Sequence, residues 1–431
     1  MAYSTEQLGA IRRDFHRYPE PSWCEFLTTS RLVDHLEDLD VDELAVGRQA
    51  LDLEARMAVP DEATLTEWAD RAREAGARAD VLEATADGAT GVVAVIERGD
   101  GPTVGLRVDI DALYVDEADG EDHTPAARGF RSANEGVMHA CGHDAHMAVG
   151  LGTIAAVQDS DFDGTLIVFF QPAEEVAGGG KAMAETAYCG AVDYLLAVHL
   201  GLDHPTGEVV AGIVKPLAMA HLAGEITGTD AHAGKAPNRG DNAIQALGTL
   251  IQNAYAIPRH ESGSTRVNVG LVEAGTSSNI VADRARFEAE VRGETTALMT
   301  SMKDRLDRTV AEAAAMHGCS ASLEVVSESP RADSDGPLVG RVEALAEGLP
   351  AVESTVRWAD FGASEDATFL MNTVAEGGGL ASYVVVGTDH PGAHHTATFD
   401  VDEASLGIAV DLLAGTVEAI GQDPPKRNDA G

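Results

Sequence analysis

Two stretches of this chain are so uniformly apolar that they restrict the fold at once. Thr165–Phe170 reads TLIVFF and Tyr194–His199 reads YLLAVH. A run this short, with no polar alternation, is a strand covered on both faces, as in a parallel sheet layered between helices. Ser382–Gly387 (SYVVVG) has the same texture, and Thr90–Glu97 (TGVVAVIE) and Thr103–Val108 (TVGLRV) add strands upstream. Helical patterns separate them. Residues 4–39 read as a helix, a turn at Tyr18–Ser22 and a second helix, and 61–76 as an amphipathic helix stopped by Gly76. A helix of small residues follows the run that starts at Met138, and another closes the chain over 402–421. Strands alternating with helices predict an α/β fold with a mostly parallel sheet.

Beyond Lys215–Pro216 the texture changes. HLAGEITGTDAHAG, RVNVGLVEAG and RARFEAEVRGET alternate apolar and polar residues, which suits antiparallel strands with one solvated face. Helical stretches at about 241–256 and 295–317 accompany them. Residues 216–329 are therefore expected to form an inserted α+β domain, and residues 1–215 plus 330–431 one discontinuous α/β domain. A chain of 431 residues exceeds what one core usually serves.

Charge narrows the partners. Asp plus Glu total 71 against 30 for Lys plus Arg, a net −41 spread along the chain. The lysines are Lys181, Lys215, Lys235, Lys303 and Lys426; the other basic residues are arginine. A distributed acidic surface poor in lysine reads as adaptation to high salt, where screening shortens the reach of self-repulsion. It argues against nucleic acid and anionic membranes as partners. The N-terminal segment lacks an apolar signal core, and no run approaches the roughly 20 apolar residues of a membrane span. A cytoplasmic location is expected. Cys24, Cys141, Cys189 and Cys319 show no paired spacing, so a disulfide framework is not expected.

Four polar clusters are expected just after strands, where open parallel sheets collect ligands. RVDIDAL carries Asp109 and Asp111, which alone could be only caps. MHACGHDAH carries His139, Cys141, His143, Asp144 and His146. A thiolate and an imidazole two positions apart can converge on one metal; the competing reading, a buried thiol beside loop histidines, weakens with three histidines around it. FFQPAEE carries Glu174 and Glu175. Adjacent carboxylates at a sheet mouth are costly without a positive charge, and one could bind metal while the other moves a proton. AVHLG carries His199, and a late segment, GAHHTATFDVDE, carries His394 and His395. One cysteine, two or three histidines and one or two carboxylates drawn from separate segments support two metals better than one.

In this order, DIDAL, MHACGHDAH, FFQPAEE, AVHLG and HHTATFD resemble the amidohydrolase branch of the aminoacylase/carboxypeptidase metallopeptidases. That branch includes hippurate hydrolase, indole-acetyl-amino-acid hydrolases and p-aminobenzoyl-glutamate hydrolase. The resemblance runs from about residue 7 to 421, and MHACGHD with QPAEE is its most specific part. It implies a hydrolase with two divalent ions, manganese or zinc. Cys141 would bridge them, with His143, Glu175, His199 and His395 completing the coordination. Glu174 would be the general base and then the acid, and Asp109 would orient a ligand. His395 is chosen over His394 because its spacing to Phe399 matches the branch. The insert resembles a dimerisation or lid domain. By that resemblance, His232 in DAHAGKAP would stabilise the oxyanion, often across a homodimer, and Asn279 and Arg292 would hold the substrate carboxylate. The competing reading of Arg292 is a surface salt bridge. Val281–Ala282 stands where the branch usually has Ile–Pro. The long segment RMAVPDEATLTEWADRAREAGA resembles the p-aminobenzoyl-glutamate subgroup, which implies an aryl-acyl-glutamate substrate. The alternatives are a general N-acyl-amino-acid or dipeptide hydrolase and, more remotely, a non-catalytic metal- or peptide-binding relative. There is no GxSxG elbow for a serine hydrolase.

Overall fold

In the computed structural model, which describes residues 3–426, the apolar runs lie at the middle of an eight-stranded sheet. Its order is Glu43–Val46, Val92–Glu97, Thr165–Gln171, Thr103–Asp109, Tyr194–Leu200, Leu380–Val386, Glu208–Val210 and Ser354–Val356. The strands from Thr165–Gln171 through Leu380–Val386 run parallel. Val92–Glu97 and Glu43–Val46 join antiparallel on one side, and Glu208–Val210 reverses on the other.

Alternate side chains of each middle strand enter different cores, as the pleat requires. Leu166, Val168 and Phe170 pack with helices Thr5–His16, His143–Gln158 and Ala404–Gln422. Ile167 and Phe169 pack with helices Gly180–Ala184 and Ala367–Glu376. Helix Ala404–Gln422 is long and apolar enough to cross a membrane, but its Leu406, Leu412, Leu413, Val417 and Ile420 are buried in the first core. Ser4 starts helix Thr5–His16 with a reciprocal cap to Gln7. Asp61 caps helix Glu62–Glu74, whose Trp68 and Ala72 pack with Cys24, Phe26, Ala112 and Val137.

This sheet and its helices form one compact unit, comprising Met1–Val214, Ala332–Phe361 and Asp366–Gly431. The second unit is Lys215–Arg331 with Gly362–Glu365. Its antiparallel sheet runs Thr265–Ala274, Arg284–Gly293, Ala218–Thr227, Ser320–Ser329. Helices Ala243–Tyr255 and Thr296–Met316 cover one face, meeting Ala285, Phe287, Ala289 and Val291. The alternate residues Arg284, Arg286, Glu288, Glu290 and Arg292 occupy the other face. Gly362–Glu365 joins through short bonds: Leu217 N donates to Ala363 O at 2.8 Å, and Ser364 Oγ donates to Leu217 O at 2.7 Å. So short a pairing leaves no periodicity for a sequence reading to detect.

Candidate metal centre

The parallel strands end together. Asp109 is paired in register with Gln171 at their last positions, and His199 is the penultimate residue of its strand. Ligands in open α/β sheets gather at this edge. Cys141 and His143 arrive differently from the expectation. They do not follow a strand; they flank Gly142 at the head of helix His143–Gln158. Gly142 has φ +89°, a conformation that a side chain strongly disfavours, so glycine permits the turn between the two.

Cys141 Sγ lies 3.4 Å from His199 Nε2. Cys141, His143 and His199 bring ligand atoms within 4.8 Å of one another, as do Cys141, Glu175 and His395, and also His143, Glu174 and Glu175. Cys141 belongs to two of these sets. The rings are held so that one nitrogen faces the cluster. His143 Nδ1 is 2.8 Å from Asp111 O, and His199 Nδ1 is 2.8 Å from Leu200 O. A carbonyl only accepts, so each Nδ1–H donates and each Nε2 faces the cluster; against burial, Asp109, Asp111 and Glu175 push the metal-free His143 up to about 10.

The donor set fits a divalent cation. His143 Nε2 and Glu175 Oε1 are buried with no hydrogen-bond partner among the described residues, and they lie 3.7 Å apart. Each such atom costs about 1–3 kcal/mol, which a cation between them removes. Burial pushes the Glu175 carboxyl up to about 8, with His143 opposing and Asp111 and Asp109 adding to the rise. Burial and then His146 hold His199 well below its ordinary range, which keeps it the neutral imidazole that binds metal.

His395 Nε2 sits 3.5 Å from Glu175 Oε2, and its backbone N donates to Ala140 O at 2.8 Å. His394 turns elsewhere: its Nε2 is 3.3 Å from Leu200 O and its ring centroid 4.7 Å from that of Phe399. Asp109 is buried, with Oδ1 2.5 Å from His146 Nδ1 and Oδ2 accepting from Arg107 at 2.7 Å. His146 Nε2 in turn accepts from Leu200 N at 2.9 Å, so both its nitrogens are used inside the protein. His146 therefore orients Asp109. Its spacing of three from His143 on one helix was the signal for a shared face.

Asp111 has a role the sequence left open. Its carboxylate accepts the backbone N–H of Glu174 and of Glu175, each at 3.1 Å, and the Ser22 hydroxyl at 2.6 Å. It caps the turn that carries the paired glutamates.

In the second unit, His232 lies in a two-residue strand paired with Ile280–Val281. Its Nδ1 accepts from Gly234 N at 3.1 Å and Lys235 N at 3.2 Å. Ala233 N donates to Asn279 O at 3.0 Å, so His232 and Asn279 are neighbours, both exposed. Arg292 is not with them. It grips Glu290 through Nε at 2.6 Å and Nη2 at 3.0 Å, and Glu290 also meets His221 Nε2 at 3.0 Å. The His221 bond, against burial and with Arg292, holds Glu290 down at about 2. Arg292 pairs with Met219, at the end where the chain enters and leaves this unit, whereas Arg284 marks the end nearer Asn279. At about 3.3 Å per residue the two ends are roughly 26 Å apart.

The sheet edge, the cysteine–histidine–carboxylate cluster and the paired glutamates define a metal-dependent hydrolase, and the chain belongs to the peptidase family M20/M25/M40, whose model matches residues 105–419. It is 41% identical to indole-3-acetyl-aspartic acid hydrolase of Enterobacter agglomerans over 412 residues, 94% of each chain. It is 38% identical to one of the subunits of p-aminobenzoyl-glutamate hydrolase from Escherichia coli (strain K12), covering 95% of each. Among solved structures, the aminobenzoyl-glutamate utilization protein from Klebsiella pneumoniae superposes with a TM-score of 0.83 at 33% identity, over 98% of this chain and 97% of that one.

Proposed function

We propose that this hydrolase cleaves the amide bond between an aromatic acyl group and an acidic amino acid, with p-aminobenzoyl-glutamate the leading substrate and indole-acetyl-aspartate the alternative. The observation that carries the chemistry is the buried pair His143 Nε2 and Glu175 Oε1, without a hydrogen bond among the described residues and 3.7 Å apart beside Cys141. The substrate half rests on the relatives, whose names share an aromatic acyl group and an acidic amino acid. It also rests on the resemblance of the 56–77 segment.

In this reading Cys141, His143, Glu175, His199 and His395 hold two divalent ions, manganese or zinc. Bound there, they supply Lewis-acid polarisation of the scissile carbonyl and acidify the attacking water. Glu174 takes the proton from that water and returns it to the leaving nitrogen. Asp109, with Oδ1 3.5 Å from His143 Nε2 and held by His146 and Arg107, orients that ligand. His232 donates to the oxyanion, and Asn279 and Arg292 hold the carboxylate of the amino-acid half.

The separation of Arg292 from Asn279 supports a homodimer. Residues placed toward opposite ends of a strand that spans roughly 26 Å are poorly set to grip one carboxylate from a single insert. Two copies can, when His232 and Asn279 of one serve the site that holds Arg292 of the other.

The test is metal content together with hydrolysis of p-aminobenzoyl-glutamate and indole-acetyl-aspartate in high salt, with and without a chelator. Near two ions per chain and chelator-sensitive cleavage of either conjugate supports the reading. Folded protein that binds no divalent ion refutes it. Glu174→Gln is expected to keep its ions and fold while losing at least about 100-fold in kcat; Cys141→Ala is expected to lose ions as well as rate.

A further inference from the structure

The turn between Gln171 and Glu175 is unusual in its backbone. Pro172 has no N–H to give. Ala173 has φ +55°, in the left-handed region that residues with a side chain avoid. Three amides follow in succession, and each ends on a buried carboxylate. Ala173 N donates to Glu25 Oε1 at 2.8 Å; Glu174 N and Glu175 N donate to Asp111. Gly179 presses against the turn so closely that an added methyl would sit 1.9 Å from Pro172 O, and one on Gly91 would sit 2.7 Å from Pro172 Cδ. The turn is walled on those sides and held on the third by Glu25.

Glu25 is itself fixed. It is fully buried just before helix Phe26–Asp38, and its other oxygen accepts the Thr90 hydroxyl at 2.5 Å. A side chain needed only to fill space here would be apolar, since a buried carboxyl near Asp111 is costly. What Glu25 adds is an acceptor where a left-handed amide requires one.

We propose that Glu25 is a positioning residue for this hydrolase: its buried carboxyl fixes the Pro172–Glu175 turn and thereby sets where Glu174 and Glu175 point. The inference rests on the roles given to those two glutamates above.

Two near-isosteric variants separate geometry from charge. Glu25→Gln keeps an acceptor for Ala173 N and can donate to Thr90. Glu25→Asp keeps the carboxyl group but withdraws the acceptor by one carbon. With p-aminobenzoyl-glutamate as substrate, Gln is expected to stay within about 3-fold of wild-type kcat, while Asp loses about 100-fold with little change in KM. Manganese titrated into chelator-stripped protein is expected to bind the Asp variant about 10-fold more weakly. Thr90→Val, which leaves Glu25's second oxygen without its hydroxyl, shifts kcat in the same direction and serves if Asp does not fold. Wild-type kcat in the folded Asp and Val variants overturns the proposal, as does a Gln variant that loses as much as Asp. A role in stability alone predicts lower unfolding midpoints with kcat unchanged. Glu174→Gln is assayed alongside: full turnover in that variant withdraws the reading of the turn itself, whereas its loss beside a wild-type-like Asp variant rejects Glu25 only.

Discussion

At the scale of single residues, the head of helix His143–Gln158 is tied to the N-terminal helix by a buried charge network. Asp144 accepts from Arg12 at 2.8 Å and meets His16 Nδ1 at 2.8 Å, while His16 Nε2 is 2.9 Å from Glu117. Burial opposes a charge on His16, but Asp144 and Glu117 outweigh it and hold the imidazolium up to about 9. The folded value lies above the ordinary 6.5, so the stabilisation is complete below pH 6.5 and is lost as pH rises through about 9. His16→Gln is expected to cost about 3–5 kcal/mol at pH 6, because it leaves two buried carboxylates short of a cation. The gap to wild type should close between pH 6.5 and 9, as read by denaturant unfolding at constant salt. A gap independent of pH would mean that His16 folds neutral. This network also marks a limit of sequence reading. MHACGHDAH announces its ligands by residue type, but nothing local says that Asp144 faces Arg12 from a helix more than a hundred residues away.

At the scale of elements, the buried strands were the most legible part of the fold. Their apolar runs have one physical explanation, and the middle strands stand within two residues of the expected positions. Edge pieces such as Glu43–Val46, Glu208–Val210 and Ser354–Val356 were not legible, because a strand of three or four residues carries too little pattern to separate it from a loop. A different limit hid the partners of Asp111 and His146, and Glu25 altogether: those contacts are long-range. Asp111, His146 and Glu25 act through backbone amides and ring nitrogens brought together only by the finished sheet. The insert's alternation was legible and leads to a packing prediction. Gly224, in strand Ala218–Thr227, faces Phe287, and a Cβ there would sit 2.1 Å from its ring. Gly224→Ala should therefore destabilise the insert by about 1–3 kcal/mol, since the ring must leave its place. Phe287→Leu in the same chain should recover part of that loss, measured by thermal unfolding. Equal stability of Gly224→Ala and wild type would show that the ring has room to move.

At the scale of the whole molecule, the sign of the charge decides how salt acts. Surface pairs such as Arg78 with Glu37 and Asp80 weaken when screened, but exposed pairs of this kind contribute little. Repulsion within a net charge of −41 is screened by the same salt. Going from about 0.1 M to about 1 M shortens the screening length from roughly 10 Å to 3 Å. Repulsion outnumbers attraction, so the unfolding midpoint is expected to rise with potassium chloride; a fall would mean that the ion pairs dominate. Assembly sets the second question at this scale. If His232 serves the partner's site, two dead variants can repair each other. In a mixed dimer of Glu174→Gln with His232→Ala, one site combines both lesions and the other combines an intact Glu174 with an intact His232. Random exchange of equal amounts makes half the dimers mixed, with one working site in two, so about a quarter of wild-type turnover should appear on mixing and exchange of protomers. Were His232 to act within its own chain, every site would keep one lesion and no activity would return. The recovered rate thus reads directly whether each catalytic cluster is completed by its own insert or by that of a second copy.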